Sequence, residues 1–249
     1  MFIDIHTHIA QYNKSEIDGL VSRWRSNRVD KVVSAGTTID DSKKSIELSK
    51  RYDDVVAGIG LHPSDLTKNW RQDLILLEKM IDDNVVMISE IGLDYLPGSP
   101  AKSIQIQTFE RQIDIAISNK LPIVFHMRQS NKESIEILKS FENYELYGAA
   151  HYFDGTFEDA KRIIDLGFNI SFSKILIREE HLKEVARKLP LDKIVIETDS
   201  YPQYFKKNRN RWTEPKDVVL VASELARIKK VHIEEIAWLT KENSEKFIK

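Results

Sequence analysis

The 249-residue chain contains no cysteine. Disulfides and thiolate metal sites are therefore excluded, and His, Asp and Glu remain as the strong ligands available. Glycine and proline are sparse and scattered, at 9 and 7 residues, so no low-complexity linker divides the chain. No apolar run approaches the ~20 residues needed to span a bilayer. A first strand beginning at Phe2 leaves no room for a leader peptide, and the expected location is cytoplasmic, with no membrane partner. An excess of one charge is also missing. With 37 basic and 39 acidic residues the formal net charge is -2, so the whole molecule is no general polyanion binder, and any nucleic-acid contact has to be local.

What is present is alternation. Apolar runs of strand length begin at Phe2, Lys31, Val55, Val85, Leu121, Leu146, Phe168 and Lys193. Segments of helical period lie between most of them, at 15–27, 40–51, 73–83, 103–119, 156–166 and 179–189. A helical hairpin at 215–230 and 233–247 follows. Such alternation implies a parallel sheet. The expectation is an α/β fold with residues 1–249 as one domain: a single (β/α)8 TIM barrel carrying an additional C-terminal helix. An open doubly wound sheet is the alternative.

The strand ends favour the barrel. In Phe2-Ile3-Asp4-Ile5-His6-Thr7-His8 the period of two puts His6 and His8 on one face, with Ile3 and Ile5 covering the other. The fourth strand ends in Glu90, which shares a face with Val86 and Ile88, and a carboxylate on an otherwise apolar strand needs a partner. His126, His151 and Asp199 end the fifth, sixth and eighth strands. Only a closed barrel brings these five strand ends around one mouth. The seventh strand has no ligand-type ending, and Ser171 and Ser173 read as turn or solvent groups.

Six such ligands, His6, His8, Glu90, His126, His151 and Asp199, are too many for one small cation and suit two. Glu90 is the candidate bridge between ions roughly 3.5 to 4 Å apart, and Asp199 the candidate acceptor of the attacking water's proton. His62, just past the third strand, and Arg128, two residues beyond His126, are expected to meet substrate phosphate oxygens, and Asp94 is placed with them. The pair Gly58 and Gly60 is no dinucleotide fingerprint, because its third glycine is missing. After Asp199 runs Tyr201-Pro202-Gln203-Tyr204-Phe205-Lys206-Lys207-Asn208-Arg209-Asn210-Arg211-Trp212. Its interleaved aromatic and basic residues suit stacked bases and phosphates of a single strand, through Tyr201, Lys206, Lys207, Arg209, Arg211 and Trp212. A solvated loop with ordinary surface charges has the same composition.

These residues resemble the TatD family of metal-dependent deoxyribonucleases within the amidohydrolase superfamily. The likeness runs nearly end to end: Asp4-Ile5-His6-Thr7-His8, Gly60-Leu61-His62-Pro63, Ser89-Glu90-Ile91-Gly92-Leu93-Asp94-Tyr95, Phe125-His126-Met127-Arg128, His151-Tyr152-Phe153-Asp154-Gly155 and Glu197-Thr198-Asp199-Ser200. The resemblance implies a (β/α)8 barrel, a two-metal site on His6, His8, Glu90, His126, His151 and Asp199, and 3′-to-5′ hydrolysis of single-stranded DNA or DNA ends. It implies two divalent ions, Mg2+ or Mn2+, with Zn2+ also compatible. Superfamily members that cleave C–N bonds often carry a carboxylated lysine after the fourth strand, where this chain has Glu90. The chain departs from the family pattern at Tyr201-Pro202 and at Arg211-Trp212-Thr213-Glu214-Pro215, beside the expected substrate entrance. Two other functions stay open: hydrolysis of a small amide, lactone or phosphoester, and a non-catalytic nucleic-acid-binding subunit. Protein partners are not legible.

Overall fold

The computed structural model describes residues 1–248. Among them, eight strands alternate with helices: β1 Phe2–Thr7, α1 Lys14–Ser26, β2 Val29–Ala35, α2 Ile39–Arg51, β3 Val55–Ile59, α3 Trp70–Lys79, β4 Val85–Asp94, α4 Lys102–Asn119, β5 Ile123–Arg128, α5 Asn131–Ser140, β6 Gly148–Ala150, α6 Phe157–Asp165, β7 Phe168–Phe172, α7 Glu180–Lys188, β8 Ile194–Ile196, α8 Val218–Lys229 and α9 Ile233–Glu245. The strands form one parallel sheet in chain order. Helix α8 is the eighth barrel helix and α9 is the addition. No helix of the described residues is long and apolar enough to cross a membrane.

The sheet closes through polar groups rather than a long ladder. Between β1 and the segment after β8, Asp199 N–H donates to the His6 carbonyl at 3.0 Å and His8 N–H to the Ser200 carbonyl at 2.7 Å. The buried Asp4 carboxylate accepts from Thr198 N–H at 2.9 Å and Thr198 Oγ1 at 2.5 Å. Ile3, Ile5, Val33, Met87, Val124, Ala149 and Val195 fill the interior, joined by Phe247 and Ile248 after α9. The larger apolar layer lies between sheet and helices, with Trp24 of α1 fully buried in it. Helix starts follow local chemistry. At α6 the Thr156 hydroxyl accepts Asp159 N–H at 3.2 Å, while the Asp159 carboxylate accepts Thr156 N–H at 3.0 Å.

Simple alternation fails at two places, and both matter. Ile5 belongs to the interior cluster, yet the His6 ring also reaches inward to Glu90. The pairing of β1 with β2 explains this: Asp4 faces Val32 and Thr7 faces Ser34, so three steps on β1 match two on β2. In β4, Ile88 lies in the outer layer while Glu90 points inward, so the two do not share a face. Here Ile88 faces Ile123 and Ile91 faces Phe125, again three steps against two. A bulge of one extra residue re-aims the side chain that follows it. The peptide between Ser89 and Glu90 is cis. Gly60 accommodates this backbone, since a Cβ there would lie 2.7 Å from Glu90 N.

Candidate metal centre

The mouth of the barrel is built around the Glu90 carboxylate. Five imidazole nitrogens face it: His6 Nε2 at 3.2 Å, His8 Nε2 at 3.5 Å, His62 Nε2 at 3.3 Å, His126 Nδ1 at 3.0 Å and His151 Nε2 at 3.4 Å. Asp199 closes the group, 3.2 Å from His8 Nε2 and 3.8 Å from His151 Nε2. Its backbone is left-handed, with φ 52°. Four overlapping sets are compact enough for one ion: His6, His8 and Glu90; His6, His151 and Asp199; Glu90, His126 and His151; and His62, Asp94 and His126. All six expected ligands therefore converge, from β1, β4, β5 and the segments after β1, β6 and β8.

Position alone does not make His62 a ligand. Its Nδ1 accepts the Ser64 N–H at 3.1 Å, so the neutral ring carries its proton on Nε2, the atom turned toward Glu90. His62 thus offers the site a donor, as befits a group that meets substrate oxygen.

Three buried carboxylates stand behind the cluster. Asp94 accepts from His126 Nε2 at 3.0 Å, from Leu96 N–H at 2.9 Å and from Ser99 Oγ at 3.3 Å. It ends β4 rather than lying in a loop, is fully enclosed and holds His126, and it shares one compact set with His62 and His126. Glu197 lies 2.8 Å from His151 Nδ1 and accepts from Tyr152 N–H at 2.7 Å and Ser171 Oγ at 2.5 Å. Ser171 is accordingly interior, not a solvent group. Asp4 ties the strand carrying His6 to the residue before Asp199. Such partners orient imidazoles and set which nitrogen presents its lone pair. Sequence reasoning missed Asp4 and Glu197, although the argument applied to Glu90, an acid inside an apolar strand, covers both.

Charge alternates through the site. Burial opposes ionisation of Glu90, but the charges of His62, His151 and His6 outweigh it and hold the carboxyl well below its usual range. Burial likewise opposes Asp199, which the His8 hydrogen bond and His151 charge bring down. Burial also works against a charge on His151, yet Glu197 and Glu90 push it up to about 10. His8 and His126 are raised in the same way against burial, by Asp199 and by Asp94 respectively. His6 goes down, through burial and the His151 charge. Two buried anions within a ring of imidazoles thus demand positive charge, which protons on the rings supply or, once the rings give their nitrogens as ligands, divalent cations; the donor set fits such cations.

Arg128 sits at the rim, its Nη1 3.6 Å from Asp94 and its side chain 43% exposed. The basic loop is less available than its composition suggests. Trp212 is buried, with Nε1 donating to the Lys206 carbonyl at 3.2 Å. Arg209 lies over the Trp212 ring at 4.2 Å and pairs with Glu16 of α1 and with Glu214. Lys206 bonds Gln203 Oε1 at 2.7 Å. These contacts withdraw Trp212 and Arg209 from the mouth, because α1 supplies the acid the loop lacks. Tyr201, Tyr204, Phe205, Lys207 and Arg211 remain exposed. A cavity of about 700 Å³ opens between α1 and this loop, but no member of the Glu90 cluster lines it.

The profile of the family described as TatD-related DNase matches residues 3–249. The chain is 31% identical to the uncharacterized metal-dependent hydrolase YabD of Bacillus subtilis over 256 aligned positions, covering 100% of this chain and 99% of that protein. It is 30% identical to the uncharacterized metal-dependent hydrolase YcfH of Escherichia coli K12, covering 97% and 93%. Its fold matches the crystal structure of YjjV, a TatD homologue from E. coli, with a TM-score of 0.91 at 24% identity over 99% and 97% of the two chains. A strand-for-strand barrel, a mouth of converging His, Glu and Asp, and a sequence match along almost the whole chain agree: this protein belongs to the family of TatD-related DNases.

Proposed function

We propose that residues 1–249 work as one unit that hydrolyses phosphodiester bonds of DNA in the cytoplasm, shortening single strands or frayed ends in the 3′-to-5′ direction. The observation that carries the reading is the convergence of His6, His8, His126 and His151 on the buried carboxylate of Glu90, with Asp199 beside His8 and His151. His6, His8 and Asp199 would hold one divalent cation, His126 and His151 the other, with Glu90 shared. Mg2+ or Mn2+ suits the carboxylates, and Zn2+ the imidazoles. When bound, such a pair makes water acidic near neutral pH and draws charge from a phosphoryl oxygen.

The chain's own groups then do the rest. Asp199 is the more open carboxylate, its side chain 18% exposed against 3% for Glu90, and it accepts the proton of the attacking water. Arg128 and the Nε2–H of His62 donate to non-bridging phosphate oxygens. Asp94 and Glu197 keep the His126 and His151 rings aimed. The depth of the cluster favours an unpaired end, which can thread a phosphodiester inward. A second reading, hydrolysis of a small amide, lactone or phosphoester, gains from the withdrawal of Trp212 and Arg209 from the mouth.

The test is cleavage of end-labelled single-stranded and duplex DNA with Mg2+ or Mn2+, beside an EDTA control and the Asp199→Asn variant. Stepwise shortening from the 3′ end, lost with EDTA and in the variant, is expected. Intact DNA alongside turnover of a small phosphoester or lactone would transfer the assignment to the second reading.

A further inference from the structure

Six described residues other than glycine have a left-handed backbone: Arg28, Lys120, Gln129, Tyr152, Asp199 and Lys230. Three of them have an ordinary reason. Lys120 and Lys230 cap the C-termini of α4 and α8, and Arg28 follows the end of α1, where this conformation terminates helices. The other three sit at the mouth. Gln129 follows Arg128, Tyr152 follows His151, and Asp199 is itself a member of the cluster. For a bulky aromatic residue such a backbone is a genuine outlier, which persists only where surrounding contacts impose it.

At Tyr152 the imposing contact is visible. Its N–H donates to Glu197 Oε1 at 2.7 Å, and the same oxygen lies 2.8 Å from His151 Nδ1. One carboxylate therefore fixes both the His151 imidazole and the direction in which the next side chain leaves. The Tyr152 ring lies 5.8 Å from the His151 ring, tilted by 51°, and is half-buried. Its hydroxyl has no hydrogen-bond partner among the described residues. A tyrosine that served only packing would not need a strained backbone at a strand end.

We infer that Tyr152 is a specificity-determining residue, its ring the platform on which the base of the 3′-terminal nucleotide stacks while the adjoining phosphodiester lies at the Glu90 cluster. This rests on the nuclease reading of the same site. Stacking accepts any base, because every base has a π-face, so the ring distinguishes a nucleotide with a base from one without. Arg128, 3.6 Å from Asp94 and 43% exposed, is the cation available to the phosphate side of that nucleotide.

The experiment compares two short single-stranded oligonucleotides, one with a normal 3′-terminal nucleotide and one abasic there, by fluorescence anisotropy in EDTA, where no hydrolysis occurs. The native protein should bind the complete strand about tenfold more tightly, as one stacked base provides. Tyr152→Phe keeps the ring and should keep that ratio. Tyr152→Gly relieves the left-handed strain, so it should fold, and the ratio should collapse toward unity. The inference is overturned by a native ratio near one, by no measurable binding of either strand, by a ratio that survives in Tyr152→Gly, or by its loss in Tyr152→Phe, which would credit the hydroxyl. Cleavage of the complete strand with Mn2+ is scored separately. Cleavage without base discrimination sinks the Tyr152 role alone, whereas discrimination without cleavage sinks the hydrolytic reading and leaves the stacking platform standing.

Discussion

Glu197 is where the structure makes its sharpest demand. Its carboxylate is wholly buried and serves three groups at once, Tyr152 N–H at 2.7 Å, Ser171 Oγ at 2.5 Å and His151 Nδ1 at 2.8 Å. Glu197→Ala leaves the Tyr152 N–H and the Ser171 hydroxyl without an acceptor, and the His151 ring without its counter-charge, in a place water does not reach. Each such orphan costs about 1–3 kcal/mol, so the variant should lose on the order of 4 kcal/mol. For a chain of this length that lowers the melting temperature by roughly 8–16 °C. Glu197→Gln keeps an oxygen for Tyr152 N–H and His151, and its amide can donate to a reoriented Ser171 hydroxyl. It should lose only the charge, and most of the stability should survive. Loss of a carboxylate behind an imidazole ligand typically weakens metal affinity by about 10- to 100-fold. Calorimetric titration of Mn2+ or Zn2+ into the chelator-treated protein reads that loss, and scanning calorimetry reads the stability. Native metal affinity in a folded Glu197→Ala variant, or equal damage from Gln and Ala, would refute the orienting role.

Removal of divalent ions should lower the melting temperature by about 5–10 °C relative to protein held at about 100 times the dissociation constant, and Glu90→Ala, still folded by circular dichroism, should lose both the shift and turnover. An identical melting curve with and without chelator would contradict the metal centre. At the outer surface Asp54 accepts from Trp24 Nε1 at 2.7 Å and from Arg25 Nε at 2.8 Å; although burial opposes its charge, these partners keep the carboxyl below its ordinary value of 3.8. Its contribution is therefore complete above that value and lost as pH falls through the lowered folded value. Asp54→Ala, which orphans the buried indole, should cost about 2 kcal/mol at neutral pH, with the gap to the native protein narrowing in urea melts at lower pH; a gap that widens would reverse the sign. Replacing exposed Lys207 and Arg211 together by Gln should reduce the salt dependence of DNA binding by one to two counterions, about one per phosphate contact, and an unchanged slope would remove the loop from the DNA path.

Much of this protein is written locally. The apolar runs, their spacing and the helical periods between them specify alternating strands and helices, because backbone geometry converts a period of two or 3.6 directly into faces. A histidine or acid at the carboxyl end of a run then has to lie at the mouth once the strands close into a barrel, which is why His6, His8, Glu90, His126, His151 and Asp199 were legible as one set. Chain ends of elements were less so: β6 and β8 are only three residues each, since His151 and Asp199 leave the sheet to enter the site.

Tertiary structure decided what depends on partners far away in the chain. The bulges that turn His6 and Glu90 inward arise from register against β2 and β5, so no pattern within β1 or β4 reveals them. Asp94 finds its partner in His126, 32 residues on, and Arg209 its restraint in Glu16, 193 residues before it. A charge in sequence has a sign but no neighbour. Alternation and composition could say which residues carry chemistry, and only folding could say which of them converge on one another and which stand behind.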